Sequence, residues 1–236
     1  MSHNLTKFLS IIHPARAAKT KSRFFQLAAL TALAAMPGLA ASFSFTGNFG
    51  MDDDLATFTF HLNAPSTVTL VTLGYAGGAN SAGQTIVPGG FDPFISIFQG
   101  LGPTSTLFNL NNDGGCGNVG QDGVTNACFD SFLQLVLLPS GDYTVVLTQS
   151  DNSPFGPTLG DGFSQAGNGN FTGPTFRGSP GSFIDATGAQ RTSAWALDIR
   201  GVDSVGNSAG VPEPASMVLF GSGCLALFVT RRQRRN

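Results

Sequence analysis

The chain has 236 residues with a formal charge of −2, and only 11% of them are charged. Most of the positive charge lies near the two ends. Between residues 42 and 210, three arginines stand against thirteen aspartates and there is no lysine, which gives this region a formal charge of −10. Such a region repels phosphate backbones and anionic lipid, so nucleic acid is excluded as a partner, and it attracts divalent cations.

The first 41 residues have the pattern of an export signal. An apolar run over residues 24–39 contains Pro37 near its end, and Gly38 and Ala40 stand at the −3 and −1 positions of a cleavage site. Five basic residues precede the run: Lys7, Arg16, Lys19, Lys21 and Arg23. The pattern predicts a cleaved signal helix over residues 1–41. The alternative, a permanent transmembrane anchor, is disfavoured because the apolar run is short.

The region between the two ends has the patterns of β-strands. Residues 57–62 and 193–200 alternate polar and apolar side chains, and each places three apolar residues on one face: Phe58, Phe60 and Leu62 in the first, Trp195, Leu197 and Ile199 in the second. Residues 67–73 and 94–98 predict buried strands. Residues 132–148 carry turn residues in the middle and predict a β-hairpin.

These segments predict an all-β fold, a single jelly-roll-like antiparallel β-sandwich of seven or eight strands over residues 42–205. About 170 residues suffice for one domain with a sizeable core. Residues 150–192 show no period and predict a long surface excursion. Five phenylalanines are expected to pack it onto the sandwich: Phe155, Phe163, Phe171, Phe176 and Phe183.

Aspartates and asparagines before strands and in glycine turns indicate a calcium site. Calcium binds several oxygen ligands, and flexible loops with carboxylate, amide and backbone oxygens supply them. The candidate ligands are Asp52, Asp53, Asp54, Asp92 and Asp113, the last in an Asn-Asn-Asp-Gly-Gly run. Calcium is the one candidate cofactor. The alternative is that these aspartates are solvated residues of acidic turns.

The sequence does not favour an enzyme. His61 is the only histidine between the predicted leader and the tail, and its position in an alternating strand places it on the polar face. Glu213 is the only glutamate, and it belongs to the tail. Cys116 and Cys128 predict a disulfide, since an exported chain meets an oxidising environment. Closing a loop of that size stabilises by roughly 3 kcal/mol in the entropic treatment.

The last 26 residues form a second signal. A Pro-Glu-Pro breaker precedes an uncharged segment over residues 215–230, and an arginine cluster follows. The residues of this signal outside the apolar segment are Val211, Pro212, Glu213, Pro214, Arg231, Arg232, Arg234 and Arg235. The pattern predicts a sorting tail over residues 206–236 with a transmembrane helix at 215–230, its arginines on the cytoplasmic side. The alternative is a buried amphipathic core helix.

This tail resembles the PEP-CTERM sorting tail of Gram-negative bacteria, since the three parts follow in the same order. The resemblance implies processing near the Pro-Glu-Pro sequence by an exosortase, a transient stay in the inner membrane, and export to the cell surface or the extracellular matrix. It also implies an association with exopolysaccharide and biofilm. From it we expect a non-enzymatic surface or matrix protein.

A second resemblance covers residues 45 to about 202. It rests on seven short motifs: Asp52-Asp53-Asp54 before a Phe-Thr-Phe strand, Tyr75-Ala76-Gly77-Gly78, Gly89-Gly90-Phe91-Asp92-Pro93, the Gly-Asp-Tyr-Thr-Val strand, Asp161-Gly162-Phe163, Gly188-Ala189-Gln190-Arg191 and Trp195-Ala196-Leu197-Asp198-Ile199. They resemble a PEP-CTERM-associated family with a Phe-Asp-Pro motif, which is distantly similar to bacterial pre-peptidase C-terminal domains and implies a small jelly-roll sandwich.

The alternative function is a calcium-dependent carbohydrate-binding module that uses the 150–192 excursion as its sugar platform.

Overall fold

The structure is a computed structural model that describes residues 41–206. The predicted signal helix, all but its last residue, and the predicted transmembrane helix at 215–230 lie outside the described residues. Within 41–206, no helix is both long enough and apolar enough to cross a bilayer.

The described residues form two antiparallel sheets and a small ribbon. The four-stranded sheet has the order β1-β10-β3-β8, the five-stranded sheet has the order β11-β2-β9-β6-β7, and β4 pairs with β5. The strands are β1 (Ala41–Asn48), β2 (Ala56–Leu62), β3 (Ser66–Thr72), β4 (Gly78–Ala79), β5 (Thr85–Ile86), β6 (Pro93–Gln99), β7 (Thr106–Asn111), β8 (Phe132–Leu138), β9 (Gly141–Gln149), β10 (Ala194–Val202) and β11 (Ser204–Gly206). A 3₁₀ turn (Leu159–Asp161) and one short helix, α1 (Thr172–Arg177), interrupt the segment between β9 and β10. The prediction of an all-β antiparallel fold is confirmed.

Along the chain, the eight long strands cross from one sheet to the other at every connection except β6 to β7, which is a hairpin within the five-stranded sheet; a jelly roll connects its strands in this way. This alternation corrects one prediction. Residues 132–148 are not a hairpin, because β8 pairs with β3 and β9 pairs with β2 and β6. The turn at Pro139 and Ser140 carries the chain from one sheet to the other. Leu137 has a φ of 54°, and β8 is bulged opposite β3, so its end bends away from the plane of its sheet.

The core lies between the facing sheets and follows the predicted alternation. Phe58, Phe60 and Leu62 of β2 are buried as expected, and Phe60 stacks on Tyr143 of β9 with ring centroids 5.1 Å apart. All of β6 except its last residue is buried, so this strand is covered on both faces. The three predicted apolar residues of β10 join the same core, with Trp195 half-buried at its edge.

The sandwich has two unlike ends. The strand registers place the segments between strands at one end or the other. One end, here called the long-loop end, carries residues 49–55, 73–92, 112–131 and 150–193. The other, the short-turn end, carries residues 63–65, 100–105, 139–140 and 203. The candidate calcium ligands and both cysteines named from the sequence therefore lie in segments of the long-loop end.

Candidate functional site

The first aspartate of the acidic run is buried and fully engaged. Asp52 has no exposed surface, and one carboxylate oxygen accepts hydrogen bonds from the backbone N–H (2.8 Å) and the hydroxyl of Thr172. The other accepts the N–H of Phe183 at 2.7 Å. Asp52 thus ties the start of β2 to both halves of the 150–193 segment. Each donor lies more than a hundred residues away in sequence.

The other two members of the run also accept backbone N–H groups. Asp53 accepts those of Gly167 and Gly169, both at 3.0 Å. Asp54 accepts two N–H groups of the turn just before it, at 2.6 and 3.0 Å. The three carboxylates therefore have three separate sets of donors. Hydrogen bonds to the ionised form are what make such a run tolerable without a cation.

Asp92 and Asp113 form a separate pair. Asp92 is only 2% exposed, and its Oδ1 atom is buried without a hydrogen-bond partner. Burial raises the pKa of Asp92 well above its ordinary value, and the charge of Asp113 is the next largest cause. Burial also raises the pKa of Asp113. Among residues 41–206 no three His, Cys, Asp or Glu side chains are grouped closely enough to hold a metal, so the five predicted aspartates do not form one site.

The densest polar cluster of the long-loop end is centred on Arg191, which the sequence did not single out. Its guanidinium donates to both carboxylate oxygens of Asp122 at 3.2 Å, to the carbonyl of Tyr75 at 2.8 Å and to that of Gly90 at 3.1 Å. The same group lies 3.9 Å from the centre of the Tyr75 ring, a cation–π contact. The Tyr75 hydroxyl donates to Asp185 at 2.8 Å. We call these five residues the Arg191 network.

Burial raises the pKa of Tyr75, so its hydroxyl stays protonated and serves as a donor. Burial also works against the charge of Asp122, but hydrogen bonds from Arg191 and Thr125 outweigh it and lower the pKa of Asp122 to about 2. The network is thus a fully ionised, buried pair with a neutral phenol beside it. The residues of the network come from three loops, and both the Arg191 guanidinium and the Tyr75 hydroxyl donate to groups of the protein. Such an arrangement fixes loops; it leaves no free acid or base for catalysis.

The sequence did carry a signal for this network. Tyr75, Gly90 and Arg191 belong to three of the short motifs behind the second resemblance. Arg191 is also one of only three arginines between residues 42 and 210. A rare cation in a strongly acidic region is a natural partner for a buried aspartate. The sequence does not show which aspartate pairs with Arg191, because Asp122 is 69 positions away and only the fold brings the two together.

The predicted disulfide between Cys116 and Cys128 is present, with the two Cα atoms 5.1 Å apart. The loop that it closes contains Asp122 and Thr125. Asp122 accepts three hydrogen bonds from its own loop in addition to those from Arg191. The disulfide therefore holds one half of the buried ion pair in place.

His61 lies on the outer face of the five-stranded sheet, as predicted, but it is paired. Its Nδ1 atom is 2.7 Å from a carboxylate oxygen of Asp142. In the strand register, Asp142 and Ser204 are the two direct neighbours of His61, on β9 and β11. All three line a pocket of about 190 Å³ at the short-turn end. No hydrogen bond joins Ser204 to His61 in the described part of the chain, so the row lacks the contact that activates a serine.

The 150–193 segment packs through three of its five phenylalanines. Phe163, Phe171 and Phe183 are each 6% exposed, and Phe176 is half-buried. Phe155 is 77% exposed, so the prediction that it packs onto the sandwich is wrong. Its neighbours in sequence explain this: residues 153–155 pair antiparallel with residues 162–164 through hydrogen bonds in both directions, and the ring of Phe155 is left outside.

The predicted sorting residues lie outside the described residues, and sequence comparison supplies the finding there. The family model for the PEP-CTERM protein-sorting motif matches residues 210–235. A search of curated proteins finds no match for the chain. The motif marks the chain as an exported protein sorted by an exosortase and directed to the cell envelope or surface.

Proposed function

We propose that the β-sandwich is a non-enzymatic component of the cell surface or extracellular matrix, associated with exopolysaccharide and biofilm. The observation that carries this proposal is the sorting motif at residues 210–235. The side-chain chemistry of the domain supports it. Ten of the thirteen aspartates between residues 42 and 206 accept hydrogen bonds within the protein, and these bonds serve to hold loops.

The sorting half of the proposal is tested in the exporting host. Pro212→Ala with Glu213→Ala and Pro214→Ala should leave an unprocessed chain that fractionates with the inner membrane, whereas the wild type is processed and reaches the surface or medium. Deletion of residues 211–236 should instead release the chain to the periplasm or medium. If the deleted chain still fractionates with membrane, the tail is not the anchor.

The matrix half is tested by a pull-down on the exopolysaccharide of the same host, with and without a chelator. Retention in both conditions supports a matrix component. Retention that the chelator abolishes supports the alternative, a calcium-dependent carbohydrate-binding module. One observation favours that alternative: Phe155 is an exposed aromatic ring on the 150–193 segment, and Phe155→Ala should then abolish binding. The three buried phenylalanines cannot stack on a sugar, which argues against a broad platform.

The non-enzymatic part of the proposal is tested at Ser204, His61 and Asp142, which lie side by side on three strands. A fluorophosphonate probe should not label Ser204, because within residues 41–206 no base is hydrogen-bonded to its hydroxyl. Ser204→Ala and His61→Gln chains serve as controls for background labelling. Labelling that both substitutions remove would contradict the proposal and make the protein a serine hydrolase.

A further inference from the structure

Three aspartates differ from the other ten. The side chains of Asp92, Asp113 and Asp151 accept no hydrogen bond from any residue in the 41–206 region, although a carboxylate has room for about four. Asp92 is almost wholly buried. Asp113 and Asp151 are both among the charges that act on it, with Asp113 first. The hydroxyl of Ser131 contacts the carbonyls of Pro93 and Asn112, the residues next to Asp92 and Asp113, so these two aspartates lie in neighbouring segments.

The place where these segments meet is unusually rich in oxygen. The fully buried hydroxyl of Ser131 lies within hydrogen-bond distance of three backbone carbonyls, those of Pro93 (2.7 Å), Asn112 (2.8 Å) and Asn111 (2.9 Å). A hydroxyl has one hydrogen, so it can donate to only one of them at a time. The same contacts bring the backbone beside Asp92 to that beside Asp113.

Two amide side chains at this place also lack partners. The Oδ1 atom of Asn112 is buried and unbonded, and Gln149 has no exposed surface and no partner for either end of its amide. Gln149 is paired with Pro93 in the strand register, and the next residue donates its N–H to the carbonyl of Asp92 at 2.8 Å. Buried polar groups are seldom left unbonded, and an ion is one of the standard reasons.

We propose that Asp92, Asn112 and Asp113 form a calcium site at the long-loop end, with the amide oxygen of Gln149 and backbone carbonyls as further ligands. Calcium takes six to eight oxygens from carboxylates, amides, carbonyls and water, which matches this mixture. Two carboxylates neutralise the ion. The mixture also explains why no group of three acidic or thiol-type ligands is found among the described residues. The acidic run at 52–54 takes no part, because each of its carboxylates already accepts hydrogen bonds from backbone N–H groups.

The test uses the full chain in mild detergent, treated with chelator and titrated with calcium chloride in a calorimeter. We expect one calcium per chain and a rise of several degrees in Tm. Asp92→Asn should lose the calcium response, yet without calcium it should melt no lower than the wild type, because within residues 41–206 the Asp92 side chain accepts no hydrogen bond that the substitution could break. Asp113→Asn, at an exposed position that tolerates change, should weaken calcium binding by roughly tenfold or more.

Asp53→Asn is the matched control, since it removes a carboxylate of the same loop end that is bonded to two N–H groups. It should lower Tm but keep the calcium affinity of the wild type. Sodium at the same ionic strength should not reproduce the calcium effect. The proposal would be overturned if the Asp92→Asn and Asp113→Asn chains bound calcium as tightly as the wild type. It would also be overturned if sodium raised Tm as much as calcium does, or if the wild type bound no calcium.

Discussion

Arg191 is the only arginine of the described residues with a buried guanidinium, and it joins three loops that are far apart in sequence. Its contribution to the free energy of unfolding depends mainly on the charge of Asp122, which is left unpaired when Arg191 is removed. A buried ion pair adds little over a well-packed apolar pair. Loss of one partner, however, leaves the other charge buried and unpaired. Asp122 has 1% of its surface exposed, so in the folded protein water cannot solvate its unpaired charge.

We therefore expect Arg191→Met to lower the free energy of unfolding by about 3–5 kcal/mol. Denaturant unfolding followed by the fluorescence of Trp195, the single tryptophan, measures this. The matched control is Arg177→Met, since Arg177 is exposed and bonds only the carbonyl of Gly188; it should cost no more than about 1 kcal/mol. Equal losses in the two chains would mean that Arg191 contributes no more than a surface arginine.

The pKa of Asp122 gives a pH dependence with a definite sign. Its folded-state pKa, about 2, lies below the unfolded value of about 3.9, so the ionised form favours the folded state. This stabilisation is complete above pH 4 and disappears as the pH falls through 2. The difference in unfolding free energy between the wild type and Asp122→Asn should therefore shrink between pH 4 and pH 2. A difference that stays constant over this range would contradict the shift.

Sequence reasoning at the level of single residues identified the right kind of side chain and the wrong partners. Each carboxylate of the 52–54 run accepts backbone N–H groups. Asp54 takes them from the turn just before it, but the donors to Asp52 and Asp53 lie more than a hundred positions later. No local pattern shows that. The sequence grouped Asp92 and Asp113 with the 52–54 run as candidate calcium ligands, and a calcium role for these two stays a prediction. The orphan oxygens of Asn112 and Gln149 beside them could be found only from the fold.

At the level of elements, strand patterns were predictable and strand partners were not. The alternation of β2 predicts which of its side chains are buried, because a strand has only two faces, whereas in β10 the side chains of Ala196 and Asp198 on the other face are buried as well. The hairpin at 132–148 failed because turn residues look the same whether the chain returns in its own sheet or crosses to the facing one. The exposed Val136 and Leu137 mark the crossing, yet in the sequence they extend an apolar run.

The disulfide and the ion pair act on the same element, so their effects should not add. Cys116→Ser should cost roughly 3 kcal/mol by the entropic treatment, and Asp122→Asn should cost less in that background than in the wild type. A double-mutant cycle by denaturant unfolding measures the coupling. Fully additive losses would mean that the loop holds Asp122 in place without the disulfide. Cys116 is the better position to change, because Cys128 is buried.

At the level of the whole molecule, the fold class followed from strand count, turn spacing and the lack of helical periodicity between residues 42 and 210. Composition could not reveal that the two ends of the sandwich differ. All four long segments lie at one end, where the disulfide, the Arg191 network and the proposed calcium site are found, while the His61 pocket lies toward the other. A jelly roll alternates its connections between ends, but nothing in its topology requires the long ones to share an end.

The difference between the two ends has a mechanical consequence. Ala41 pairs with Val202, so β1 begins and β10 ends side by side at the short-turn end. A pull that separated these two strand ends would peel β1 from β10 one residue pair at a time. A pull between Val202 and something held at the long-loop end would instead run along β10 and strain its hydrogen bonds to β1 and β3 together in shear. The sandwich should therefore resist force better along its strands than across the β1–β10 pair.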